Sequence, residues 1–179
     1  MTLSIRFGPE NKPMCDEATA LHFFNEAIVH LGYIKAKRIH YLATFFQEIS
    51  FIDSRKVSLQ VRKQDPQLTI NQKRELGISK RAFFSLAALE DLTEKGLQDP
   101  LHAHEITFRR AAFNVNRYTT IQRHQKQGFC NFELKAAKPS CSACNALDGT
   151  TIGLKQLRIG NLSECKEEAC QIQVSPKYL

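Results

Sequence analysis

The sequence predicts a mainly α protein: a helical body over residues 1–128 with one short strand near 57–62, and a small β-hairpin module at the C-terminus, residues 129–179. Three observations predict it. Apolar residues recur at helical spacing through most of the first 127 positions. The period then switches to two, with Cys130, Phe132 and Leu134 alternating with Asn131, Glu133 and Lys135. Finally, four cysteines crowd the last quarter in the order Cys141-x2-Cys144-x20-Cys165-x4-Cys170.

Composition sets the outer limits. A chain of 179 residues that is 42% hydrophobic can bury a core. Lys and Arg outnumber Asp and Glu by 25 to 18, a formal +7, which suits a polyanionic partner without selecting one. There is no Trp and the four Tyr are scattered, so no base-stacking platform is legible. No run approaches the eighteen or so apolar residues of a membrane span, and residues 1–12 lack a signal-peptide core. The expectation is a cytoplasmic protein with no membrane partner, in a compartment whose reducing conditions favour metal thiolates or free thiols over disulfides.

Gly8, Pro9 and Pro13 make an irregular lead-in to a helix that starts near Asp16 or Glu17, where acidic groups complement the positive helix end. Leu21, Phe24, Ile28 and Leu31, then Leu42, Phe46 and Ile49, keep helical spacing, as one helix or as two interrupted at Gly32. Lys35, Lys37, Arg38 and His40 form its polar side, read as a solvated face. Val57, Leu59 and Val61 alternate with polar residues as in a half-buried strand, ended by Asp65-Pro66. A short helix over about 71–76 and a longer one over about 79–95 are separated by Gly77. The step Glu75-Leu76-Gly77-Ile78-Ser79 resembles the turn of a helix-turn-helix DNA reader, but Lys73 stands where a small residue is expected, and a plain helical hairpin is preferred.

The last long helix is expected over about 101–127, stopped by Gly128, with Phe108, Ala111, Ala112, Val115 and Tyr118 buried. On another face Arg110, Arg117 and His124 fall seven residues apart, with Arg109, Arg123 and Lys126 nearby. That row either tracks a phosphate backbone or is a wet surface. His102 and His104, two apart, point to different sides of the helix and make a poor metal pair.

After the strand at Cys130 to Leu134, Lys138-Pro139-Ser140 is the turn that delivers Cys141. Two thiolates two residues apart can grip one side of a tetrahedral ion, and a second pair returned by a loop can close the other. Cys141, Cys144, Cys165 and Cys170 are therefore the candidate metal ligands, with zinc the expected ion. The second knuckle is two residues wider than the common zinc-ribbon form. Iron accepts the same shell, and paired disulfides or small core cysteines are the alternatives. Asp148-Gly149 is a turn signal, Thr150-Thr151-Ile152 is strand-like, Gly153 to Asn161 a loop or short element, Glu164 to Cys170 the second pair, and Gln171 to Val174 a last strand before Pro176.

Gly128-Phe129, the run Cys141-Ser-Ala-Cys144-Asn-Ala-Leu-Asp148-Gly149, and Cys170-Gln-Ile together resemble the C-terminal module of the phage head morphogenesis family, the Mu F-like minor capsid proteins. The likeness covers about residues 75–179. Members of that family close the site with His-Pro-x-Cys; here Glu167 stands at the His position, so Cys165 takes over as ligand. The resemblance implies a role in assembly or DNA handling, with a protein partner, rather than a reaction.

Three functions follow as expectations. The first is a structural or interaction protein with a closed four-cysteine site, because four thiolates leave no coordination position for water. The second is a nucleic-acid-binding module using Arg110, Arg117 and His124. The third, an enzyme built on Cys130 with His124, has no Ser-His-Asp set, phosphate loop or nucleotide fingerprint behind it.

Overall fold

The structure, a computed structural model, describes residues 5–7, 13–48, 54–137, 140–154, 165 and 167–177. Ile49, the turn at Lys138-Pro139, the loop through Gly160 and Asn161, and Glu164 lie outside them. A hairpin opens the chain where an irregular lead-in is expected: β1 (Ile5–Phe7) runs antiparallel to β2 (Pro13–Cys15), with Ile5 opposite Cys15.

Helix α1 (Glu17–Leu31) begins as its sequence dictates. Asp16 accepts the Thr19 N–H at 2.7 Å, and Glu17 lies in the first turn. Of the two alternatives the structure has two helices: the first stops at Gly32, and after a 3-10 turn at Ala36–Arg38 the chain continues as α2 (Ile39–Glu48), packed on α1. Phe24, Ile28 and Leu31 are buried as expected, and Leu21 is half-buried. The polar side is less free than expected: Lys35 donates to the Glu90 carbonyl at 2.7 Å, and Arg38 pairs with buried Asp91.

The strand near 57–62 is a helix, α3 (Ser54–Arg62). Val57 and Val61 satisfy a period of two, but they are also four apart, on one helical face. Ser58 and Arg62, the other i, i+4 pair, are buried beside them, which alternation would have put on the opposite side. Helix α4 (Ile70–Glu75) carries a capping box between Thr69 and Gln72. The helix expected over 79–95 shrinks to α5 (Leu86–Glu90), capped by Ser85. Residues before it are tied elsewhere: the Leu68 N–H donates to Phe84, the Leu86 N–H to Pro66, and Gln67 bridges Ser85. Backbone groups committed to that segment cannot close helical turns. Neither a helical hairpin nor a helix-turn-helix forms around Gly77.

Helix α6 (Pro100–Lys126) matches its expected span, and Gly128, at φ 89, turns the chain out of it. The predicted stripe of Phe108, Ala111, Ala112, Val115 and Tyr118 is buried. So is a second row, Arg110, Asn114, Arg117 and Ile121. The chain divides into two compact units inside this helix, residues 1–112 and 113–179, rather than at 128. In the first unit Phe24 meets Phe108 edge-on at 4.9 Å and Phe84 meets His104 at 5.4 Å.

The second unit holds a three-stranded antiparallel sheet in the order β4-β3-β5, made of β3 (Asn131–Lys135), β4 (Thr151–Gly153) and β5 (Gln173–Pro176). Phe132 and Leu134 are the buried face of β3, as their alternation predicts. They pack with Ile121, Ile172, Val174, Cys144 and Cys170 into one core. Ile121 explains why the last turns of α6 belong to this unit. The fold is a helical body with a small β module, as the sequence predicts.

Candidate metal centre

The first cysteine pair is placed by a single helical turn. Cys141 caps α7 (Ser142–Ala146), whose first backbone bond runs from the Asn145 N–H to the Cys141 carbonyl at 2.9 Å. Three residues of helix bring Cys144 round to the same side as Cys141. Asn145 braces the entry, donating to the Ser140 carbonyl and accepting from the Ser140 hydroxyl. The exit is the Asp148-Gly149 turn. Gly149 adopts φ 74, its N–H donates to Leu134 at 2.8 Å, and the Asp148 carboxylate accepts from the Ala136 N–H. The knuckle is thus clamped between β3 and β4.

The sulfurs meet. Cys144 Sγ lies 3.4 Å from Cys165 Sγ and 3.7 Å from Cys170 Sγ, and Cys141 Sγ lies 3.7 Å from Cys165 Sγ. Cys141, Cys144 and Cys165 are all within 4.8 Å of one another, with Cys170 joined to them through Cys144. These separations exceed the roughly 2.05 Å of a disulfide bond, and none of the four cysteines is in a disulfide. A tetrahedral ion with metal–sulfur bonds of about 2.3 Å needs sulfur–sulfur edges of roughly 3.8 Å. The residues fit such a group: Cys141, Cys144, Cys165 and Cys170 could hold a metal ion.

Electrostatics distinguishes three of the four. Burial pushes the Cys165 thiol up to about 11, and burial followed by the neighbouring sulfurs raises Cys144 further. At Cys170 burial acts in the same direction but is outweighed by the Ile172 N–H and the Arg117 guanidinium, which hold its thiol below the ordinary value. Arg117 Nη1 lies 3.6 Å from the Cys170 sulfur and Nη2 donates to the Cys170 carbonyl at 3.2 Å and to Asn114 Oδ1 at 2.8 Å. Buried thiolates without a cation are costly. A bound metal ion and Arg117 together would balance their charge.

Those bonds take Arg110 and Arg117 out of the exposed basic row. Arg110 and Arg117 are 1% and 4% exposed, so neither guanidinium faces a phosphate backbone. Arg110 holds Glu26 through both Nε and Nη2, the former at 3.1 Å from Oε2. His124 bonds Gln127 and Arg123 and meets Phe129 edge-on. The Cys130 thiol is exposed and bonds the Gly128 carbonyl; among the described residues no hydrogen bond joins it to His124. His104 is buried against the Ala88 carbonyl at 2.8 Å, while His102 is exposed, so the two do not converge.

The sequence reading missed Arg117 as the partner of Cys170. Its one sequence signal is that Asn114, Arg117 and Ile121 share a helical face. Among the described residues, no helix is long and apolar enough to cross a membrane. Comparisons with known protein families, with curated proteins and with solved structures find no match.

Proposed function

We propose that Cys141, Cys144, Cys165 and Cys170 form a closed structural zinc site, and that the chain is a non-catalytic interaction protein whose C-terminal module is stapled by it. The observation that carries this reading is the set of sulfur separations, 3.4 to 3.7 Å, near the edge length of a four-thiolate tetrahedron. Zinc suits a site with no vacant position and no redox role, and four thiolates blunt its Lewis acidity. A module whose core is this small needs such a staple, worth about 10–16 kcal/mol in comparable sites. A place in phage head assembly rests on the resemblance of the Cys141 to Gly149 run and is the proposed setting for that interaction.

Elemental analysis of the purified chain beside its four Cys→Ser variants tests this. One zinc per chain, lost in each variant, is expected. Full retention in the Cys165→Ser or Cys170→Ser variant would show an open three-ligand site and overturn the non-catalytic assignment.

A further inference from the structure

The chain leaves the helical body after Pro66 and returns to it at one neck. There the Leu68 N–H donates to the Phe84 carbonyl and the Leu86 N–H to the Pro66 carbonyl, both at 2.9 Å, with Gln67 opposite Ser85. Between them α4 has six residues, a length of about 9 Å. Gly77, at φ 68, turns the chain back: the Ile78 N–H reaches the Lys73 carbonyl at 2.7 Å, Ile78 is buried, and the Ser79 carbonyl accepts from the Ala82 N–H. The excursion is short and closed, so its exposed side chains crowd a small area.

That area is basic, and its charges are unpaired. Residues 63–83 carry five cations, Lys63, Lys73, Arg74, Lys80 and Arg81, against two carboxylates, Asp65 and Glu75. Lys63, Arg74, Lys80 and Arg81 are exposed, and among the described residues none of their side chains makes a hydrogen bond or an ion pair. By contrast Arg38, Arg62 and Arg110 in the same unit each hold a carboxylate. Cations gathered without counter-ions raise a positive surface potential that attracts a polyanion.

Phe83 adds a second feature. It is 48% exposed, the one aromatic ring among the large hydrophobic side chains left exposed in the described residues. Lys63 Nζ lies 5.0 Å over the ring, and because Lys63 is itself exposed, the ring face beneath it borders solvent. A nucleobase stacks on such a face, and the ammonium it displaces meets the adjoining phosphate. Helices of six and five residues, α4 and α5, offer no recognition element for a major groove, and α4 exposes Ile70 as its one large apolar side chain rather than a broad membrane-seeking face. We infer that the surface around Phe83 binds a single-stranded nucleic acid, with phosphates on Lys63, Arg74, Lys80 and Arg81 and a base on Phe83. The inference goes beyond the zinc module and is tested apart from it, since metal content and strand affinity are read separately.

The test uses the full metal-loaded chain and a fluorescein-labelled oligothymidylate dodecamer, followed by fluorescence anisotropy. Four phosphate contacts give a salt slope of about −3, so affinity should fall roughly fiftyfold between about 50 and 200 mM salt. Replacing two cations together, Lys80→Gln with Arg81→Gln, should bring the slope to about −1.4. Phe83→Ala should weaken binding about tenfold with the slope unchanged, because stacking releases no counter-ions. The chain has no Trp, so a Phe83→Trp variant reports directly: its fluorescence should be quenched by the oligonucleotide. Lys126→Gln, equally exposed but on α6, should leave affinity within about twofold. No binding at about 100 μM chain in low salt overturns the inference. So does equal affinity for a base-free polyphosphate of the same charge or for the duplex, or a Phe83→Trp spectrum that shifts with phosphatidylserine vesicles and not with the oligonucleotide, which marks a membrane surface.

Discussion

Arg117 links helix α6 to the cysteine cluster through the Cys170 carbonyl and sulfur together, so its loss removes a charge and a positioning contact at once. Partners of metal ligands typically change metal affinity 10- to 100-fold when removed. Arg117→Leu should therefore lower zinc affinity by roughly that factor in competition with a chromogenic chelator; unchanged affinity would reduce Arg117 to packing. A second residue-scale effect lies in the helical body. Burial, partly offset by the Ala88 carbonyl, lowers the His104 pKa to about 4, and its Nδ1 is buried without a partner. Because the folded value lies below the unfolded one, the unfolded state binds the proton first. Stability is thus intact above about pH 6.5 and falls by up to about 3 kcal/mol as pH drops toward 4. Urea midpoints across that range should decline less steeply in His104→Gln, which keeps a donor for Ala88.

At the scale of elements, legibility followed how local the deciding contact is. The start of α1 was readable because Asp16 and Thr19 settle it within one turn, and Asp16→Ala should cost about 1 kcal/mol in denaturant unfolding. β3 was readable because Phe132 and Leu134 alternate on one face. Val57 and Val61 fit both periods, and only the burial of Ser58 and Arg62 decides for a helix. The segment ahead of α5 takes its hydrogen bonds from residues 66–68, a choice no window around Ser79 contains. The basic row on α6 failed for the same reason, since Glu26 is 84 residues from Arg110. Arg110→Gln should destabilise the fold by about 2 kcal/mol by leaving Glu26 without its cation.

For the whole molecule, the candidate site was more legible than the fold around it. Cysteine spacing alone brought together Cys141, Cys144, Cys165 and Cys170, because ligand spacing is set by the ion's geometry and tolerates what lies between. The spacing could not show which groups surround the sulfurs, and Arg117 came from a helix fifty-three residues away from Cys170. The two units also predict unequal responses to metal removal. Chelation should release the amides of β3 and β5 to hydrogen exchange while those of α1, held by an apolar core of its own, stay protected. The central claim is a shell of four sulfurs, and X-ray absorption at the zinc edge of the purified chain tests it most directly. Four sulfur neighbours at about 2.3 Å is the predicted result; a shell of three sulfurs and one light atom would contradict it.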